Sequence, residues 1–312
     1  MIARSAGTTH WPAYDGLRVF ATLAIVWFHV NTAGISRQLA YAGLPVFLVL
    51  SFVLVIRTAD LQSFATLVRR RSRRLLLPFL FWYAVYALVV GYQRARHGLP
   101  LGRPTLLAVL RGPSIHLWYL PYAFVAALAI RALRRLSASA PGVWATSLGA
   151  IGCVVLAAHA ALVAVFDPPP PLAQWWYAVP TIGIGFALSH ALQAPRHSRE
   201  YALALATGVL AACAYLAGAS DDSTALSYAL GVTLVVGFSF VELPRVRIVG
   251  TLASLTLGIY VVHPLVLIVL EKLVGPMLHV AARFGLVVLG ATALSWLLRR
   301  FRFGQIVTGA SH

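Results

Sequence analysis

Apolar residues fall in long blocks along this chain, separated by short stretches where arginine, proline, glycine and histidine collect. A block of about 20 residues crosses a bilayer core as a helix, and lipid offers no partner for the backbone groups of an open sheet. The pattern therefore predicts helices at 13–33, 41–59, 75–92, 116–133, 143–166, 175–192, 201–218, 224–241, 252–271 and 280–298. The expected fold is an all-α integral membrane protein, a bundle of about ten transmembrane helices. Every connection is short and no internal repeat stands out. Residues 1–312 thus read as one membrane domain, embedded over about 13–298, with a basic cytoplasmic tail at 299–312. A transporter with two related halves is disfavoured on the same ground.

Composition supports the membrane reading. Of 312 residues, 60% are hydrophobic and 11% charged, whereas a soluble domain is about one-quarter charged. The net charge of +17 does not indicate a nucleic-acid partner, because the arginines lie between apolar blocks instead of covering one polar surface. Their placement follows the positive-inside rule with cytoplasmic N- and C-termini. The inner loops then hold Arg57 with Arg69, Arg70, Arg71, Arg73 and Arg74, then Arg131, Arg134 and Arg135, then Arg196 and Arg199, then Arg245 and Arg247, with Arg299, Arg300 and Arg302 in the tail. The outer loops carry Asp167, Asp221 and Asp222. Loop 93–115 breaks the rule with Arg94, Arg96, Arg103 and Arg111, so either it binds an anion or one span is misplaced.

The first block begins with Asp15 and Arg18 and reads as a retained span, not a cleaved signal. The alanine-rich, arginine-rich, lysine-poor composition points to a GC-rich bacterial genome and hence to the inner membrane. Cys153 and Cys213 sit singly in apolar runs and read as packing residues. No metal-ligand spacing and no phosphate loop appears, so neither a metal nor a bound cofactor is expected.

Four polar patterns interrupt the apolar blocks. His29 follows Arg18 by eleven residues with no ionisable group between them. Eleven steps of about 100° come to about 1100°, within about 20° of three turns, so both residues share a helix face roughly 16 Å apart. Asp15, three residues before Arg18, either neutralises it at the membrane edge or orients it. His29 is a candidate general base, with a histidine hydrogen-bonded to neighbouring helices as the competing reading. The RRRSRR run at 69–74 serves as a topological stop, as a grip for donor phosphates, or as both. In HLWYLP at 116–121, Trp118 and Tyr119 suit an interfacial belt, while His116 and Trp118 fall at the outer level of His29. In GIYVVHP at 258–264, Pro264 predicts a kink beside Tyr260 and His263, which share a face.

In this order the patterns resemble the acyltransferase-3 family of multi-span membrane acyltransferases over most of the chain. The family opens with a DGLR-like segment, here Asp15 to Arg18, and a basic residue separated from a histidine by ten positions, here Arg18 and His29. Its second helix resembles GLPVFLVLSF at 43–52, with Phe52 in place of the usual glycine and Pro45 where a polar residue is common. The arginine cluster, the HLWY stretch and the GIYxxHP stretch follow in the family's order.

The resemblance implies transfer of an acyl group, often acetyl, from cytoplasmic acyl-CoA to a hydroxyl, or sometimes an amine, of a carbohydrate, lipid-linked sugar or other small acceptor. His29 would take the acceptor proton. Arg18 would hold donor phosphate or stabilise developing charge, with Asp15 orienting it. Arg70, Arg71, Arg73 and Arg74 would meet the donor, and His116, Trp118, Tyr260 and His263 would shape the acceptor side. Two other classes remain at this stage: a carrier or flippase that consumes no acyl-CoA, and a non-catalytic receptor or scaffold.

Overall fold

The computed structural model describes residues 11–58, 63–100, 105–136, 141–162, 165–166, 168–192, 223–239, 241, 243–275 and 278–310. Helix α1 spans Pro12–Val30, a short α2 spans Ile35–Ala40, and α3 spans Gly43–Thr58. Helix α4 (Phe64–Arg71) passes through a π-helical turn at Ser72–Leu76 into α5 (Leu77–Arg96). Short α6 (Leu106–Arg111) and a 3₁₀ turn at Ile115–Trp118 lead into α7 (Tyr119–Leu136). Then follow α8 (Pro141–Leu162), α9 (Leu172–Ala191), α10 (Ser223–Ser239), α11 (Arg247–Val274), α12 (Val280–Leu298) and the short α13 (Arg302–Val307).

Nine of the ten expected apolar segments are thus helical, and the tenth, 201–218, lies outside the described residues. No strand occurs among the described residues. Among the described residues, five helices are long and apolar enough to cross a membrane: Ile35–Arg57, Phe64–Arg96, Ile115–Leu133, Arg247–Val274 and Val280–Leu298. The chain is an integral membrane protein.

Helix α1 lies at the centre, against α3, α10, α11 and α12, while α9 packs on both α3 and α8. Its buried positions Tyr14, Leu17, Ala21, Ala24 and Ile25 recur at helical spacing. Pro12 occupies the first turn, where no backbone donor is lost.

The two departures of α3 from the family pattern are answered on its neighbours. Phe52 is fully buried and meets the ring of Tyr122 edge-on at 5.9 Å. Room for it comes from Gly185 on α9, where an added Cβ would stand 3.0 Å from the Phe52 Cβ. Pro45 faces Gly231 of α10, where a Cβ would stand 2.7 Å from the proline ring. The small residue that lets two helices approach has changed sides.

The rod from Phe64 to Arg96 contains 33 residues. At 1.5 Å per residue it measures about 50 Å against a hydrocarbon core of about 30 Å. Its arginine-rich opening turns can therefore stand beyond the hydrocarbon. The segment expected as a basic tail is packed in part: Val307 and Thr308 are buried, and the Trp82 indole Nε1 donates to the Val307 carbonyl at 2.9 Å.

Candidate active site

Both ends of the Arg18 to His29 interval in α1 meet α11, at Thr256 and at His263. The Arg18 guanidinium lies 3.4 Å from the Thr256 hydroxyl and 3.8 Å from an Asp15 carboxylate oxygen. Three turns further on, the His29 ring centroid is 5.1 Å from that of His263. One stripe of α1 thus runs along α11 with its cation near one end and its imidazole near the other.

Three histidines from three elements meet. His29 belongs to α1, His116 to the 3₁₀ turn before α7, and His263 to α11. Their centroids are 5.1 Å apart for His29 and His263, 5.5 Å for His116 and His263, and 6.4 Å for His29 and His116. His116 and His263 are buried, whereas His29 is partly exposed. The His263 Nδ1 lies 3.3 Å from the Ile259 carbonyl, which only accepts, so Nδ1 is the donor in this hydrogen bond. The His116 Nδ1 pairs with the Ser114 hydroxyl at 2.8 Å. The Nε2 atoms of His116 and His263 are both buried without a hydrogen-bond partner. Among the described residues, no three of His, Cys, Asp and Glu are grouped so as to hold a metal ion.

The turn around Pro264, inside the continuous helix α11, is braced by a residue the sequence pattern did not single out. Tyr86 of α5, fully buried, donates its hydroxyl to the Val261 carbonyl at 2.8 Å and accepts the Leu265 N–H at 3.2 Å. Those two groups lie one helical turn apart, beside the proline that lacks a donor of its own. Tyr86 thus occupies backbone groups beside Pro264 with its hydroxyl. Its ring also meets His116 edge-on at 5.3 Å. Tyr86→Phe removes the bridge and leaves a buried carbonyl and a buried N–H short of a partner, a loss of about 1–3 kcal/mol. The expected result is a lower thermal unfolding midpoint together with slower turnover, because His263 and Tyr260 sit on the braced turn.

Tyr260 hydrogen-bonds through its hydroxyl to the His116 carbonyl, and its ring stacks on Phe47 at 5.7 Å with an 11° interplanar angle. Tyr119 meets Phe47 at 5.0 Å and Tyr260 at 5.7 Å, and its hydroxyl lies 2.7 Å from that of Ser51. Phe47, Tyr119 and Ser51 in turn line a cavity of about 400 Å³ that also holds Arg18, Arg70, Arg71 and Arg74. Phe47 and Tyr119 on the chamber side, with Tyr260 behind them, thus stand between the four arginines and the histidine trio.

The residues expected to act together are only partly grouped. Arg18, Arg70, Arg71 and Arg74 share the chamber, but Arg73 does not line it and instead lines an adjacent groove. His116, His263 and Tyr260 gather around His29, whereas Trp118 packs its buried ring against Tyr119 and Tyr122. Asp15 is paired with Arg18. The reading missed Tyr86, Tyr119 and Ser51. Tyr119 lay within the HLWY stretch already singled out, while Tyr86 and Ser51 looked like ordinary members of apolar runs.

Residues 11–300 match the family model of an acyltransferase domain, acyltransferase-3. The chain belongs to the acyltransferase-3 family. Membership over nearly the whole chain supports a membrane acyltransferase, and it places the arginine chamber and the histidine trio inside a single acyltransferase-3 domain. Neither a curated protein nor a solved structure matches the chain.

Proposed function

We propose that the chain transfers an acyl group, acetyl in the simplest case, from acyl-CoA to a hydroxyl of a carbohydrate, lipid-linked sugar or other small acceptor. The observation that carries this reading is the partly exposed imidazole of His29, set in a histidine trio that Tyr260, stacked on Phe47, joins to a four-arginine chamber. Arginine forks suit the phosphates of coenzyme A, and Arg18, Arg70, Arg71 and Arg74 line one chamber. Asp15 positions Arg18 from one turn away.

In the reaction the acceptor oxygen attacks the thioester carbonyl while His29 takes its proton. The new C–O ester bond forms, the C–S bond breaks, and the departing thiolate receives a proton from the imidazolium. Among the three histidines His29 suits this role because it is the one not fully buried. His116, His263 and Tyr260 shape the acceptor side. The enzyme sits in a bacterial inner membrane with its arginine end towards the cytoplasm, where acyl-CoA is found.

The test uses purified protein in lipid nanodiscs supplied with acetyl-CoA and a glycan extract. Free thiol is followed with a colour reagent, and the acceptors are weighed by mass spectrometry. Thiol release matched by an acyl mass on an acceptor is expected. Movement of a sugar lipid without thiol release would establish a carrier instead.

A further inference from the structure

A second arginine site lies beside the chamber. A groove of about 650 Å³ between the α4–α5 rod and α13 is lined by Arg69, Arg70, Arg73, Arg74 and Arg302 together with Thr66, Leu77, Ile306 and Ala310. It shares Arg70 and Arg74 with the chamber, but Arg69, Arg73 and Arg302 belong to the groove alone. Among the described residues, no carboxylate forms a salt bridge with any of these five arginines. Such a concentration of like charge calls for an anion.

We infer that this groove binds the phosphodiester headgroup of an anionic phospholipid, gripped by Arg69, Arg73 and Arg302. The groove's edges are apolar as well as basic. Leu77 and Ile306 line it and are 42% exposed, while Leu80 and Phe303 are about 60% exposed. The Phe303 ring meets Phe81 at 5.3 Å, which seats this apolar flank on α5. A lipid supplies both halves of the match, phosphate for the guanidinium forks and acyl chains for the leucine and phenylalanine flank. A nucleotide phosphate would satisfy the arginines and leave the flank bare.

The height is also suitable. Arg69 and Arg73 occupy the opening turns of a rod about 50 Å long, which outreaches a hydrocarbon core of about 30 Å and leaves room for them at headgroup level, and Arg302 reaches the same groove from α13. Basic pockets between spanning helices on the cytoplasmic side are the usual seats of anionic lipid headgroups. The inference needs the arginine end at a membrane surface, but it does not depend on acyl transfer.

The experiment is native mass spectrometry of the full chain released from mixed micelles containing phosphatidylglycerol and phosphatidylcholine, paired with titration of coenzyme A in phosphatidylcholine nanodiscs. The parent is expected to retain phosphatidylglycerol at least tenfold over phosphatidylcholine. The double variant Arg69→Gln, Arg302→Gln is expected to lose that preference while its coenzyme A affinity stays within twofold. The double variant Arg69→Lys, Arg302→Lys keeps the charge and should recover most of the preference, which separates lost binding from lost folding. Equal retention of the two lipids by the parent would overturn the inference, as would an undiminished preference in the glutamine variant. A tenfold fall in coenzyme A affinity in that variant would reassign the groove to the acyl donor. Displacement of the lipid by millimolar inorganic phosphate would show a free-phosphate site.

Discussion

His29→Gln should lower acyl transfer by about 10²–10⁴-fold, the usual contribution of a positioned general base. Glutamine keeps a polar side chain of similar reach but cannot take up the acceptor proton. The fall belongs in kcat, because His29 does not line the arginine chamber, and the KM for acyl-CoA should stay close to that of the parent. The variant should also fold, since His29 is partly exposed and its recorded neighbours are ring contacts. Single-turnover transfer in nanodiscs checks the rate, and size-exclusion behaviour checks the fold. A rate near that of the parent, in normally folded protein, would remove His29 from the chemistry.

Arg74→Gln should act on the other half of the reaction. Arg74 lines both the chamber and the groove, so its loss removes one charged fork from the proposed donor site. Hydrogen bonds to a charged group contribute about 1.5–3 kcal/mol, which translates into a KM for acyl-CoA raised about tenfold to a hundredfold. The kcat at saturating donor should change little, since the chamber that Arg74 lines includes none of the three histidines. Initial rates across a range of acyl-CoA concentrations distinguish the outcomes, and an unchanged KM would show that the chamber does not hold donor phosphate. The two variants thus divide the site, one affecting turnover and the other donor binding.

Much of this arrangement could be read from the residues. The Arg18 to His29 interval works because α1 is one regular helix, so residues three turns apart reach the same neighbour. The apolar run at 280–298 became a helix with those same bounds because loop residues, including a histidine cap at 279, frame it on both sides. The meeting of His29 and His116 was foreshadowed by the level expected for both, but periodicity assigns one face per helix and does not say which helices adjoin. That limit explains Trp118, whose ring turns towards Tyr122 although its neighbour Tyr119 lines the chamber. It also explains Tyr86, whose hydroxyl looks like an interfacial group until the α11 turn around Pro264 is set against it. Gly185 and Phe52 are 133 positions apart, and nothing local to either one reveals that they compensate.

The π-helical turn at Ser72–Leu76, where the Leu77 N–H reaches back five residues to the Ser72 carbonyl, acts as a phase shift in the rod. A helical wheel drawn straight through it would be wrong by about 100° on the far side, one residue's worth of rotation. With the shift in place, Tyr86 and Trp82 face the bundle while Arg70, Arg71 and Arg74 also turn to the chamber. A one-residue deletion within 72–76 would leave the rod helical and almost as long, yet it would carry the arginines around the axis and away from the chamber that the tyrosine end still anchors.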